Sequence, residues 1–129
     1  MSVNPPEPDD PPEPDEAIEI EMDSTTMQAW LEDDRPVVLL DIRERFEIMH
    51  GHAKGAILIR MNDVPNRLDE LPTKDARLVV YCAHGVRSYG VTGWLRDQGW
   101  TDAWSLIGGF SAFMAAGGEA AQPTPGELL

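Results

Sequence analysis

The sequence predicts a single α/β domain, built on a mostly parallel five-stranded sheet with helices on both faces. Three observations carry this. Short apolar runs alternate with stretches of helical period, the order that builds strand–helix–strand units. One run, Val37-Val38-Leu39-Leu40, is apolar throughout and ends on Asp41, as a central strand covered on both faces would. A length of 129 residues suits one domain with its own core, and the single cysteine allows no internal disulfide.

The elements follow in order. Residues 1–16 are rich in proline and acid, with Pro5-Pro6-Glu7-Pro8 echoed by Pro11-Pro12-Glu13-Pro14. Such a segment has too little apolar area to fold and is expected to be a disordered, extended, solvated leader. A docking tail for a basic partner is the alternative. The folded domain is expected over residues 17–117. Ala17 to Glu21 alternates apolar and acidic residues, the pattern of a half-exposed edge strand. Asp23 or Ser24 caps a helix carrying Met27, Trp30 and Leu31, and Arg35-Pro36 breaks it. The central strand at Val37–Asp41 is followed by a short helix from Arg45 to Met49 and a third strand, Ile57 to Ile59. Asn62 or Asp63 caps a helix running through Leu68 and Leu71 to Pro72. Leu78 to Cys82 is a buried strand. The helix after it is expected from Ser88, a serine able to cap it, to Gln98, with Val91, Trp94 and Leu95 at helical spacing and Gly99 as its stop. Ala103 to Leu106 is the last strand and Phe110 to Ala116 the last helix. Residues 118–129 read as a flexible tail.

Composition narrows the function. The formal charge of −13, from 23 acids and 10 bases, argues against nucleic acid as a partner. The charge is uneven: residues 1–23 hold nine acids and no Lys or Arg, leaving the remainder at −4. An anionic substrate would have to be drawn by local dipoles, not by the overall field. No stretch is long and apolar enough to span a membrane, so no membrane partner is expected. The N-terminus shows no basic region leading into an apolar run, so no secretory signal is expected and a cytoplasmic compartment is the default.

The chemistry concentrates at Tyr81-Cys82-Ala83-His84-Gly85-Val86-Arg87-Ser88. A strand ends on the sole cysteine, and a tight loop turns the chain into a helix. Gly85 permits a conformation that other residues resist. A loop closing this sharply aims successive amides inward, and the helix N-terminus adds partial positive charge. Arg87 would add a full one. A thiol held there ionises readily, because its thiolate is the anion the site favours. A lone cysteine is more often a buried structural thiol. The strand, glycine, arginine and helix start at this spacing reverse that preference.

Several patches, in this order, resemble the rhodanese-like domain family. Val38-Leu39-Leu40-Asp41-Ile42-Arg43-Glu44 is similar to the family's strand ending in Asp-Val-Arg-Glu. His50-Gly51-His52-Ala53-Lys54-Gly55-Ala56-Ile57 is similar to its Gly-His-Ile-Pro-Gly-Ala segment. The Cys82 loop resembles its active-site loop, and Leu106-Ile107-Gly108-Gly109-Phe110-Ser111-Ala112-Phe113 resembles the Gly-Gly segment before its last helix. Ala53-Lys54 stands where Ile-Pro is usual and Phe113 where Trp is usual, departures that touch packing and not the loop.

The resemblance implies a three-layer fold and sulfur transfer without a cofactor. Cys82 would be the nucleophile, taking sulfur from a small anionic donor, thiosulfate or a persulfide, and passing it to a thiol or sulfur-carrier acceptor. The loop Ala83, His84, Gly85, Val86, Arg87 and Ser88 would hold the persulfide's charge. Arg87 would also pin the loop. Asp41 and Arg43 would brace neighbouring loops, and His52 would be structural. His84, in mid-loop, is placed to face substrate. Pairing Cys82 with His84 on a metal would consume the nucleophile, so no metal is expected. The rival enzymes are cysteine-dependent phosphatases and arsenate reductases. Four residues separate Cys82 from Arg87, a cradle one residue short of the phosphatase loop. A docking or sulfur-relay module without catalysis is the other alternative.

Overall fold

The computed structural model describes residues 19–124, 126 and 127. The leader at 1–16 and the first two residues of the expected edge strand, Ala17 and Ile18, lie outside the described residues.

Five strands form one sheet: β1 (Glu21–Met22), β2 (Val37–Asp41), β4 (Ile57–Leu58), β5 (Arg77–Tyr81) and β6 (Ala103–Leu106). Their order is β1-β6-β5-β2-β4, and every neighbouring pair is parallel. Two residues, His52–Ala53 (β3), pair antiparallel with Ala120–Ala121 (β7) in a separate ribbon. That ribbon corrects the reading of residues 118–129 as a loose tail at this point, since β7 is hydrogen-bonded to the domain.

The pleat divides the core into two faces. Leu40, Leu78 and Val80 turn to one side and pack with Leu95, Trp100, Val64 and Ile59. Leu39, Val79 and Tyr81 turn to the other and pack with Met27, Ala53, Leu106 and Phe113. Successive side chains on a strand point to opposite faces, so two apolar neighbours each need their own cover. Helix α3 (Val86–Asp97) covers the first face, and α1 (Ser24–Leu31) with α4 (Gly109–Ala115) covers the second. The result is the three-layer arrangement.

Several boundaries differ from expectation. The edge strand is shorter and shifted, but its alternation holds: Ile20 and Met22 are buried while Glu19 and Glu21 face solvent. Asp23 is the cap of α1, accepting from the Thr26 amide at 2.8 Å. Leu31 is exposed, so that helix buries Met27 and leans on Trp30. The stretch from Asn62 to Leu71 is not an α-helix but two 3-10 helices, Met61–Asn66 and Leu68–Glu70. Pro65 lies inside the first, removing an amide donor, and Arg67 leaves helical geometry at φ −130° and ψ 30° between them. The third strand, β4, is the other edge of the sheet and only half-buried. Among the described residues, no helix is long and apolar enough to cross a membrane.

The parallel sheet places the C-terminal ends of β2, β5 and β6 side by side. Open α/β sheets carry their sites at that edge. Cys82, Asp41 and Leu106 end or follow these three strands.

Candidate active site

The loop after β5 closes around its own cysteine. Gly85 is the N-cap of α3 with φ +99°, a left-handed conformation that reverses the chain within three residues of Cys82. The Gly85 amide then donates to Cys82 Sγ at 3.1 Å and the Ser88 amide at 3.4 Å. Ser88 Oγ lies 3.6 Å from the same sulfur. It is also 2.8 Å from Ser105 Oγ on the neighbouring strand and 3.3 Å from the Gly85 carbonyl.

Ser88 is therefore not the cap of the helix. The helix starts two residues earlier, at Val86, and Ser88 is buried in its first turn with its hydroxyl turned to the thiol. The cap is backbone alone: Gly85 makes no side-chain capping bond. Sequence reasoning placed the turn at Gly85 but gave the cap to the serine, because a cap made of backbone alone leaves no side-chain signal.

Cys82 is 1 % exposed. Cys82 itself packs within the apolar core, yet its sulfur also accepts amides. Burial pushes the thiol pKa up. The Ser88 hydroxyl and the amides of Ser88, Gly85 and His84 outweigh that push and hold it below the ordinary value.

Arg87 is not free to add its charge to the cradle. Its Nη1 and Nη2 each bond a carboxylate oxygen of Glu47 at 3.0 Å. The Arg87 hydrogen bonds hold the Glu47 carboxyl below the ordinary carboxylate range, against the upward push of burial. Glu47 is in turn fixed at the start of α2 (Arg45–Ile48), where it accepts from the Glu44 amide at 2.8 Å in a capping box. So a bidentate pair clamps the loop to α2. Sequence reasoning missed Glu47, which sits 40 residues from its partner. Its one visible signal was the Glu44…Glu47 spacing.

Asp41 and Arg43 lie below the loop. Arg43 gives Asp41 its backbone amide at 2.9 Å and its Nε and Nη2 at 2.8–3.1 Å, and Nη2 also reaches the Gly51 carbonyl at 2.7 Å. The guanidinium lies 4.2 Å from the Phe110 ring centroid. Both residues are buried. The pair ties the end of β2 to Phe110 in the first turn of α4 and to Gly51. His52 is buried, with Nδ1 2.9 Å from the Ala53 carbonyl and Nε2 without a partner among the described residues. His84 and Val86 are exposed at the mouth, and His84 Nδ1 lies 3.5 Å from Ser111 Oγ. Ala83 is half-buried. Among the described residues, no three His, Cys, Asp or Glu side chains gather at metal-binding geometry.

The turn from β6 to α4 buttresses the loop from behind. Phe110 donates its amide to the Cys82 carbonyl at 2.8 Å, and Ser111 to that of Ala83 at 3.3 Å. Gly109, at φ +58°, lets this approach happen: a Cβ there would run into the Cys82 carbonyl oxygen.

A parallel α/β sheet with one cysteine in a cradle of amides at a helix start defines a class: α/β domains that set a cysteine in an amide-lined loop. Within that class the chain belongs to the rhodanese-like domain family, whose model matches residues 23–116. It is 37 % identical over 97 residues to a sulfurtransferase of Allochromatium vinosum, covering 75 % of this chain and 90 % of that one. It is 35 % identical over 92 residues to the thiosulfate sulfurtransferase GlpE of Haemophilus influenzae, covering 71 % and 87 %. The crystal structure of a rhodanese-like domain protein from Staphylococcus aureus superposes with a TM-score of 0.71 at 28 % identity, covering 81 % of this chain and 99 % of that one.

Proposed function

We propose that the protein is a sulfurtransferase that carries a sulfane sulfur on Cys82. The observation that carries this reading is the sole cysteine's Sγ accepting amides from Gly85 and Ser88 at the N-terminus of α3. The relatives' names agree with it: sulfurtransferase, and thiosulfate sulfurtransferase.

The chemistry follows from the cradle. Cys82 as thiolate attacks the outer sulfur of a donor, thiosulfate or a persulfide. The donor's S–S bond breaks, its remainder leaves with the bonding pair, and Cys82 holds a persulfide. A thiophilic acceptor, a thiol or a sulfur carrier, then takes that outer sulfur and returns the thiolate. The same amides serve both states, since the anion moves outward by one sulfur atom at most. Preorganised donors need no rearrangement as charge shifts, and that is where such sites gain their rate.

Intact mass spectrometry tests it. After incubation with thiosulfate or an alkyl persulfide, the chain is expected to gain one sulfur atom, to lose it to cyanide, and to gain none as Cys82→Ser. Absence of an adduct from both donors would overturn the reading.

A further inference from the structure

The proline-rich leader carries a pattern that the sulfur chemistry does not use. Proline favours the polyproline II helix, which has three residues per turn. On that period Pro5, Pro8, Pro11 and Pro14 share one face, and Glu7, Asp10, Glu13 and Glu16 share another. Pro-Pro-Glu-Pro recurs after six residues, two full turns, and this keeps both stripes in line. A leader that only adds charge needs no such register.

The outer face of α3 offers a matching surface. Two hollows, of about 250 and 510 Å³, open along the helix, and Gly90 and Trp94 line both. Tyr89 and Trp94 present their rings at 48 % and 36 % exposure. Gly90 and Gly93 stand between them in the sequence, and the fold requires glycine at neither. A Cβ at Gly90 would meet nothing within 4 Å, and one at Gly93 only Ile20 Cδ1 at 3.9 Å. Alanine is the better helix former at both positions. What the two glycines supply is close access to the helix backbone beside two aromatic rings. Proline-rich helices dock on aromatic-lined grooves of this kind, because they are already ordered and their apolar rings pack on Trp and Tyr.

The point where the leader joins the domain favours a contact within the chain. Arg96 donates Nη1 to the Glu19 carbonyl at 3.0 Å, and Ile20 and Arg96 both line the larger hollow. The leader therefore enters the domain at the rim of this surface. Gly90 lies six residues from Arg96, about 9 Å of helix. The five steps from Pro14 to Glu19 span at most about 18 Å, enough to bring the proline stripe to Gly90. A tether this short sets an effective concentration on the order of millimolar, so even a weak site fills.

We propose that residues 5–14, which lie outside the described residues, dock on the outer face of α3 of their own chain. The proline stripe meets Tyr89, Gly90, Gly93 and Trp94, and the acid stripe faces solvent. This replaces both the solvated leader and the tail for a basic partner, and it stands independently of the sulfur-transfer reading.

NMR of the full chain tests it, by cross-relaxation between leader proline protons and the ring protons of Tyr89 and Trp94. In the native chain these contacts are expected, and they are expected to persist on about tenfold dilution, since a contact within one chain is independent of concentration. Pro8→Ser, Pro11→Ser and Pro14→Ser together break the stripe outside the folded domain and are expected to abolish the contacts. Pro6→Ser with Pro12→Ser leaves the stripe whole and is expected to keep them. Gly90→Leu puts a side chain into the open space over α3 and is expected to abolish them while the amide spectrum of the sheet stays native. Absence of the contacts in the native chain would overturn the proposal. So would their loss on dilution, which would give the surface to a second copy. Survival of the contacts in Gly90→Leu, or equal loss from the two proline sets, would overturn it as well.

Discussion

Two turns in this molecule use the same backbone device for different ends. After β5, Gly85 at φ +99° starts α3; after β6, Gly108 at φ +78° starts α4. Neither helix has a side-chain cap. In the first turn the freed amides of Gly85 and Ser88 point to a sulfur. In the second, Phe110 and Ser111 give theirs to the carbonyls of Cys82 and Ala83. The orphan donors of a helix start need partners in both cases. When the partner is backbone, the turn is a buttress. When it is a thiol, the turn shifts an ionisation equilibrium. Function here lies in the destination of the amides and not in the turn itself.

Glycine substitutions break the comparison most sharply. Gly109→Ala would drive a Cβ into the Cys82 carbonyl oxygen, and the obstacle is backbone, which has little room to yield. A loss of about 4 kcal/mol is expected in chemical denaturation, enough to unfold a marginal domain. Gly85→Ala meets milder neighbours, the Gly108 amide at 3.1 Å and the Leu106 carbonyl at 3.3 Å, at an equally left-handed φ. It is expected to cost about 1–2 kcal/mol while removing most sulfur loading, because the cradle is what it distorts. If the two variants lost stability and loading in equal proportion, the division into buttress and cradle would fail.

Asp41→Asn attacks the support beneath both turns. It leaves the Arg43 guanidinium buried against Phe110 and the Gly51 carbonyl without its counter-charge. Breaking a buried pair from one side is expected to cost about 3 kcal/mol, read again by denaturation. The exposed pair Lys54–Glu119 serves as its control, since such surface bridges contribute less than about 1 kcal/mol.

Much of this was legible in one dimension, and the reasons are local. Val37–Asp41 and Arg77–Tyr81 show as strands because burial on both faces forces continuous apolar runs. The cysteine stands out because Gly85 and a helical period follow it at once. What escaped was set by distance or by backbone angle. The Glu47–Arg87 clamp joins residues whose side chains meet only once α2 and α3 are folded. The two-residue strands β3 and β7 have no periodicity to detect, and their pairing spans the domain. Ser88 looked like a cap because serine so often is one. In the folded chain it serves the sulfur instead.

The smallest expected effect bears on that serine. Ser88→Ala deletes the hydroxyl beside Sγ and leaves both amides in place. The thiol pKa is then expected to rise toward the ordinary value, moving the pH midpoint of alkylation upward while folding stays cooperative.

The pH profile of iodoacetamide alkylation tests the central claim most directly, because Cys82 is the chain's sole thiol. Alkylation follows the thiolate, so its rate climbs as pH rises through the pKa. In the native chain the midpoint is expected below that of a free cysteine, near 8.5, and the same chain unfolded in denaturant should return to about that value. A native midpoint at or above the unfolded one would contradict the account, since it would mean that burial, not the amide cradle, governs the sulfur.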